Sequence, residues 1–500
     1  MKRIIAIAAV LLILSGGTGY ASMELDVKEY KLDNGMTVLI LERPAAPIVS
    51  ALIRFRVGSV DEVPGITGIS HITEHMLFKG TKIMGTSNYE AEKPLMEKID
   101  SLAHEWYEEY ARVNNPIMEG DEERLNKLRD EIREVQQEQK KYVIKDELWE
   151  TYLKHGGRRL NASTGEDGTQ YYVSLPANRL ELWAFLESDR MRDPVWREFY
   201  SERDVVFEER RRSIDTQPWG KLYEALISNA FIAHPYQWPV IGWTSDIATY
   251  MREEIDEYHR SHYSPTNAIV SIVGDVKAEE VMKLIHKYFD DIPAQPLPPP
   301  VLVEEPEQEG ERRVAVNFDA EPRLAIAYHM PAGGHPDQPV LDVISSILSR
   351  GRTSRFYNNL EQKGIARSIS ASSDFGRYPK LFSIWATPQD PYTSDEVEKA
   401  LYDELEKLKN EPVTDRELQR VRNQLEADFV RGMRSNLGMA WRLANYEAVA
   451  GDWNYITILK ENRSAVTKDD IMRVAKQYFV PENRTVVVMR KPEAVAETGM

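Results

Sequence analysis

The stretch Gly68-Ile69-Ser70-His71-Ile72-Thr73-Glu74-His75-Met76-Leu77-Phe78 sets the chemistry expected of this chain. Its apolar residues return at helical spacing behind Gly65 and Gly68, which predicts a helix around Ile69 to Phe78. His71 and His75 then stand at i and i+4 on one helical face, close enough for two imidazoles to share one ion. Neutral imidazole suits Zn2+, and a catalytic zinc takes three protein ligands and keeps a fourth position for water. The chain has no cysteine, so thiolate metal sites, disulfides and a cysteine nucleophile are excluded, and any further ligand must be His, Asp or Glu. Glu202 and Glu209 lie seven residues apart in the helical segment Glu202-Arg203-Asp204-Val205-Val206-Phe207-Glu208-Glu209, so they share a face from which Glu208 is turned away. Val205-Val206-Phe207 is expected, in part, to pack that helix on the core and aim its acidic edge inward. Two surface histidines on a helix, and a solvated acidic patch beside Arg210-Arg211-Arg212, are rival readings of the same residues.

Upstream, Lys2 and Arg3 precede an apolar run from Ile4 to Leu14 and then small residues to Ala21. This is the layout of a cleavable secretory signal over residues 1–21, and it predicts a periplasmic or secreted protein. The run is too short to span a bilayer, and no later stretch is long and apolar enough, so no stable membrane span is expected after signal cleavage. A net charge of −17 gives no overall attraction to phosphate backbones, and no nucleic-acid partner is expected. At 42% hydrophobic the chain can bury more than one core, which excludes disorder as its main state.

Working outward, Val27 to Glu42 reads as two strands around the Asn34-Gly35 turn and Ile48 to Val57 as a third, opening an α+β domain over residues 22–291. An insertion of about residues 90–152 interrupts it. Leu95, Ile99, Leu102 and Trp106, then Leu125, Leu128, Ile132 and Val135, recur at spacings of three and four on a charged background, broken by Asn114-Asn115-Pro116 and Gly120. A helical hairpin is expected, either a partner-binding or lid element or a solvated structural arm. Residues 292–311 are rich in proline and acid and read as a linker. The strand, turn and helix order then recurs over residues 312–492, and an offset of 271 sets Asp342, Ser345 and Ser346 against His71, Glu74 and His75. A duplication whose second copy has lost the metal-binding groups is the expectation.

Taken together, His71-x-x-Glu74-His75, Phe78-Lys79-Gly80-Thr81, Asn161-Ala162 with Thr164, Glu202-Arg203-x-Val205-Val206-x-Glu208-Glu209, His234-Pro235-Tyr236, Pro239-Val240-Ile241-Gly242, Tyr263-x-Pro265-x-Asn267 and Val273-Gly274-Asp275 resemble the M16 (pitrilysin-type, inverzincin) zinc metallopeptidases. The likeness continues through Ser354-Arg355 and Gly364-Ile365-Ala366, and it points to a two-domain subunit similar to bacterial processing peptidases. The resemblance implies two similar α/β-roll domains, each a mainly antiparallel sheet packed on helices, the first carrying the hairpin insertion. It implies one zinc per chain on His71, His75 and Glu209, Glu74 as general base, Glu202 as a supporting acid, and Asn161-Ala162 as the edge strand that pairs with an extended substrate. The implied activity is endopeptidase cleavage of unfolded peptides in an enclosed chamber. Active relatives also carry an Arg and a Tyr in the second domain. Here those positions read as Glu361 and Arg367, with Arg350, Arg352 and Arg355 nearby. A carboxylate cannot donate to an oxyanion. A second M16-type subunit supplying that pair is therefore expected as partner, in a heterodimer ahead of a homodimer. A non-catalytic or assembly subunit of such a heterodimer is the alternative.

Overall fold

The computed structural model describes residues 25–492, and the signal expected over residues 1–21 lies outside them. Gly35, at φ +91°, turns the chain between β1 (Val27–Lys31) and β2 (Thr37–Glu42) in a conformation that side chains resist. With β3 (Ile48–Phe55), β4 (Arg158–Gly165), β5 (Gly168–Pro176) and β6 (Ala268–Gly274) they form one sheet in the order β1-β2-β6-β3-β5-β4. β2 and β6 run parallel and the other neighbours antiparallel. After β3 comes α1 (Ile69–Met76), then the insertion helices α2 (Tyr89–Val113), α3 (Glu122–Gln139) and α4 (Glu147–Lys154). Between β5 and β6 lie α5 (Leu180–Arg192), α6 (Phe199–Arg210), α7 (Pro218–Ala230), α8 (Thr244–Thr249) and α9 (Arg252–His262), and α10 (Ala278–Phe289) follows β6.

The second half repeats the plan. β7 (Arg312–Asn317), β8 (Arg323–Met330), α11 (Gln338–Ser349), β9 (Ala366–Ser373) and β10 (Lys380–Pro388) are followed by α12 (Ser394–Asn410), α13 (Asp415–Met433), α14 (Asn436–Ala450), α15 (Tyr455–Ala465), α16 (Lys468–Tyr478) and β11 (Arg484–Arg490). The order β7-β11-β8-β10-β9 reproduces β2-β6-β3-β5-β4 strand for strand, down to the parallel pair β7–β11. The expected duplication is thus present in topology, and α11 occupies the place of α1.

β2, β3 and β6 are buried along nearly their whole length, which a sheet with one wet face would not allow. Their second cover comes from the other half. Met439, Ala440, Leu443 and Ala444 of α14 pack on Leu39, Leu41, Leu52, Ile269 and Val273. Reciprocally, Leu222, Leu226 and Ala230 of α7 pack on Ala325, Ala327, Leu381, Val487 and Met489 of the second sheet. Residues 292–311 contain no helix or strand, yet Glu305 pins this stretch by accepting the backbone N–H groups of Ile232, Ala233 and His234 at 2.9–3.0 Å.

The insertion is a helical hairpin. Trp106, Leu125 and Leu128 form a small core of its own, and Ile99 and Val135 join the main one. Its root is fixed by a fully buried ion pair: Glu92 accepts from Arg197 Nε at 3.2 Å, and the same guanidinium donates to the carbonyls of Lys79, Thr81 and Met84.

Candidate metal centre

α1 is held by its N-terminus. The Glu62 carboxylate accepts the N–H groups of Gly68 (2.7 Å) and Ser70 (2.9 Å), which the first turn of a helix leaves without partners. Gly68, at φ +91°, lies so close to the 241–242 backbone that a Cβ would sit 2.3 Å from the Ile241 carbonyl oxygen. Ile69, Ile72 and Met76 bury the other side of α1 completely, so His71, Glu74 and His75 face away from the core toward α6 and β4. On α6, Phe199, Val206 and Arg210 are buried. Of the three residues expected in part to pack this helix on the core, Val206 does so at 0% exposure, while Val205 and Phe207 are 51% and 37% exposed. At 100° per residue the neighbours of a buried helical position flank the contact and do not join it.

This packing brings the two helices' polar edges together. Glu209 Oε1 lies 3.8 Å from His71 Nε2, and Oε2 lies 3.6 Å from His75 Nε2. One donor atom from each of the three residues falls within 4.8 Å of the other two. Ligands about 2.0–2.2 Å from a tetrahedral zinc are roughly 3.4 Å apart, and the two Glu209–imidazole separations, one to each carboxylate oxygen, lie within a few tenths of an ångström of that spacing. The donor chemistry fits as well. Burial, with His75 alongside, lowers His71 to about 3 and keeps it the neutral imidazole a metal requires. His75 Nδ1 is engaged by Glu202 Oε1 at 2.9 Å, which leaves Nε2 for the ion. Glu202 is in turn held by Lys79 Nζ at 2.7 Å. Burial opposes ionisation of Glu202, but the bonds from His75 and Lys79 outweigh it and set its pKa at about 2. His71 Nδ1 is buried with no hydrogen-bond partner among the described residues.

Glu74 sits beside the set without joining it. Its Oε2 accepts from Thr164 Oγ1 of β4 at 2.5 Å. Burial raises its pKa, against the opposing pull of that hydroxyl and of His75. β4 is the last strand of its sheet, paired only with β5 among the described residues, so its outer edge is open to an added strand. Asn161 on it is exposed and Ala162 buried. A cleft of about 280 Å³ joins Asn161 to Glu74, His75 and Glu202, with Trp149 of α4 in its wall. The root of the insertion therefore lines the cleft. Glu208, as its spacing indicated, points away and pairs with Arg211 at 2.8 Å.

Sequence reasoning did not anticipate the Thr164–Glu74 bond, the Lys79–Glu202 pair or the Trp149 wall. Thr164 and Lys79 stood inside quoted motifs, but their partners are remote in sequence. In the second half, Asp342, at the place matched to His71, is taken up by Ser373 and Arg463. Glu361 accepts the N–H of Ile369 at 3.0 Å, Arg367 pairs with Glu321 at 2.7 Å, Arg355 with Glu417 at 2.8 Å, and Arg350 with Asp428.

Two sheet-and-helix halves of one topology, the first presenting an inverted two-histidine helix to a distant glutamate beside an open strand, define the inverzincin type of architecture. Comparison with known proteins agrees. The family model described as Insulinase (Peptidase family M16) matches residues 37–98, and that described as Peptidase M16 inactive domain matches residues 250–425. The chain belongs to the M16 peptidase family. It is 28% identical to a Helicobacter pylori protein named zinc protease PqqE, over 98% of this chain and 99% of that one. A solved structure described as a protease from Helicobacter pylori superposes with a TM-score of 0.78 at 26% identity, covering 93% of this chain and all of the other. The periplasmic protease PqqL from Escherichia coli matches in fold, with a TM-score of 0.69 at 18% identity, over 96% of this chain but 49% of that one.

Proposed function

We propose that the chain is an exported zinc-dependent endopeptidase of unfolded peptides, with one zinc on His71, His75 and Glu209. The observation that carries this reading is the convergence of two imidazole Nε2 atoms on Glu209, with Glu74 and His75 sharing a cleft with Asn161 of the open β4 edge. A zinc held there supplies Lewis-acid polarisation of a peptide carbonyl and a bound water whose pKa is near 7. Glu74 takes the proton of the attacking water and returns it to the leaving amine, a role suited to a carboxyl whose pKa burial has raised. Thr164 fixes the orientation of Glu74, and the Lys79–Glu202 pair fixes the ring of His75. An extended peptide adds to β4 at Asn161-Ala162 through main-chain hydrogen bonds, which read backbone and favour unfolded substrates.

A partner belongs to the same reading. The PqqL chain of Escherichia coli is about twice the length matched here, so a second M16-type half completing a chamber is a natural assembly. Glu361 and Arg367 are engaged within their own half, which favours a non-identical subunit supplying the Arg/Tyr pair over a homodimer. Export is supported by the layout of residues 1–21 and by the periplasmic description of that neighbour.

The test is one purification from the source cell without a tag, read for metal by elemental analysis, for accompanying chains, and for cleavage of a quenched unstructured peptide. Stoichiometric zinc, a second chain, and cleavage abolished by Glu74→Gln with zinc retained are expected. Unchanged cleavage by Glu74→Gln would overturn the mechanism and leave the assembly-subunit alternative, and identical subunits that cleave would overturn the heterodimer.

A further inference from the structure

The turn that joins β4 to β5, Gly165-Glu166-Asp167-Gly168, is gripped from the other half of the molecule. Asp167 accepts the Tyr236 hydroxyl of its own half at 2.5 Å and, from the second half, the backbone N–H and Nε of Arg377 at 3.1 and 3.4 Å. Lys380 Nζ lies 3.4 Å from Glu166 and 3.9 Å from Asp167, over the face of the Tyr236 ring. Arg377 also pairs with Asp61 at 2.7 Å, so one guanidinium ties the 58–61 loop and the 165–168 turn to the β9–β10 connection. The two first-half segments touch so closely that a Cβ on Gly58 would meet the Gly165 carbonyl oxygen at 2.2 Å. Asp61, Asp167 and Lys380 are each less than a tenth exposed at the side chain.

Burying this many charges is a poor way to gain stability, because desolvation cancels most of the attraction. What such a cluster does well is fix one register. Asp167 is three residues from Thr164, and the hairpin that carries both is stiff: Thr164 pairs with Thr169, whose hydroxyl donates to the Val57 carbonyl at 2.9 Å, and Gln170 bridges Ser163 and Arg54. We infer that Arg377 and Lys380 of the second half are positioning residues, which set the β4–β5 turn and through it the Thr164 hydroxyl that orients Glu74. The half without a metal set thereby contributes to the chemistry of the half that has one. This rests on the proposed peptidase reading for its kinetic consequence and on the hydrogen-bond geometry alone for its structural one.

A double-mutant cycle with Thr164→Val tests it. Arg377→Gln is expected to lower kcat about tenfold or more, as for other small misplacements of catalytic groups, with KM and zinc content unchanged and partial recovery in Arg377→Lys. In the Thr164→Val background the same substitution is expected to cost nothing further. Independently of activity, hydrogen exchange in Arg377→Gln is expected to quicken over residues 160–168 and stay as in the parent over residues 69–76. Lys380→Gln provides the same measurements if Arg377→Gln does not fold. An equal loss of kcat in both backgrounds, or unaltered exchange in the hairpin, would overturn the inference. If the parent shows no zinc-dependent cleavage, the peptidase reading fails and hydrogen exchange alone decides the positioning role.

Discussion

At the scale of single residues, the proposed metal set depends on how firmly each imidazole is aimed. His75 has a chain of support, Lys79 to Glu202 to Nδ1, while His71 Nδ1 has no partner among the described residues. Removing the supported ring's anchor should therefore be felt strongly. Glu202→Ala is expected to weaken zinc binding by about 10–100-fold, measured by competition with a chromogenic chelator, and to leave the fold intact. Glu208→Ala is the matched control. Its carboxylate is half exposed and pairs with Arg211 at the surface, where solvent screens the attraction, so zinc affinity should not change. The seven-residue spacing of Glu202 and Glu209 was sufficient to place both on one helical face, because a helix repeats that closely over two turns. Thr164 gave no comparable signal: the bond it makes spans 90 positions, and a hydroxyl on a strand has no periodicity that names its partner.

Among the elements, the strands and the insertion helices α2 and α3 were legible wherever burial is periodic, and less so where an element is covered on both sides. The row Leu95, Ile99, Leu102 and Trp106 did mark the face of α2 that packs, and Asn114 to Gly120 did mark the break. The anchoring of the insertion was invisible, since Glu92 looks like any surface acid of a charged helix until Arg197 is seen against it. The pair is 0% and 1% exposed, and Gln139 of α3 also donates to Glu92 at 3.1 Å. Glu92→Ala would leave a guanidinium buried with carbonyl partners but no counter-charge. It is expected to destabilise the protein by about 3–5 kcal/mol, read from denaturant unfolding. Cleavage should weaken with it, because Arg197 and Trp149 both line the cleft beside Glu74. A loss of stability below about 1 kcal/mol would mean that the three carbonyls suffice and that the insertion is only lightly attached.

For the whole molecule, the two-domain plan was readable but the manner of joining was not. Local sequence shows that β6 is apolar without alternation and so is covered on both faces. It does not show that the second cover, α14, starts more than 160 positions later, in the other half. α7 returns the exchange on the second sheet, so each half lacks part of its own core when alone. Exposing Leu39, Leu41, Leu52, Ile269 and Val273 would forfeit about 10 kcal/mol of burial at about 2 kcal/mol for each side chain. A domain's entire net stability is about 5–15 kcal/mol. Residues 22–291 made alone are therefore expected to aggregate or to bind a hydrophobic dye, and residues 292–492 likewise through the face that α7 leaves. Made together as separate chains, the two are expected to assemble into a soluble 1:1 complex by size exclusion, because the exchange of helices needs no covalent link across residues 292–311. A soluble, cooperatively unfolding first half on its own would show that α14 is dispensable as a cover. The positioning of Thr164 by the second half would then need only the polar grip of Arg377 and Lys380.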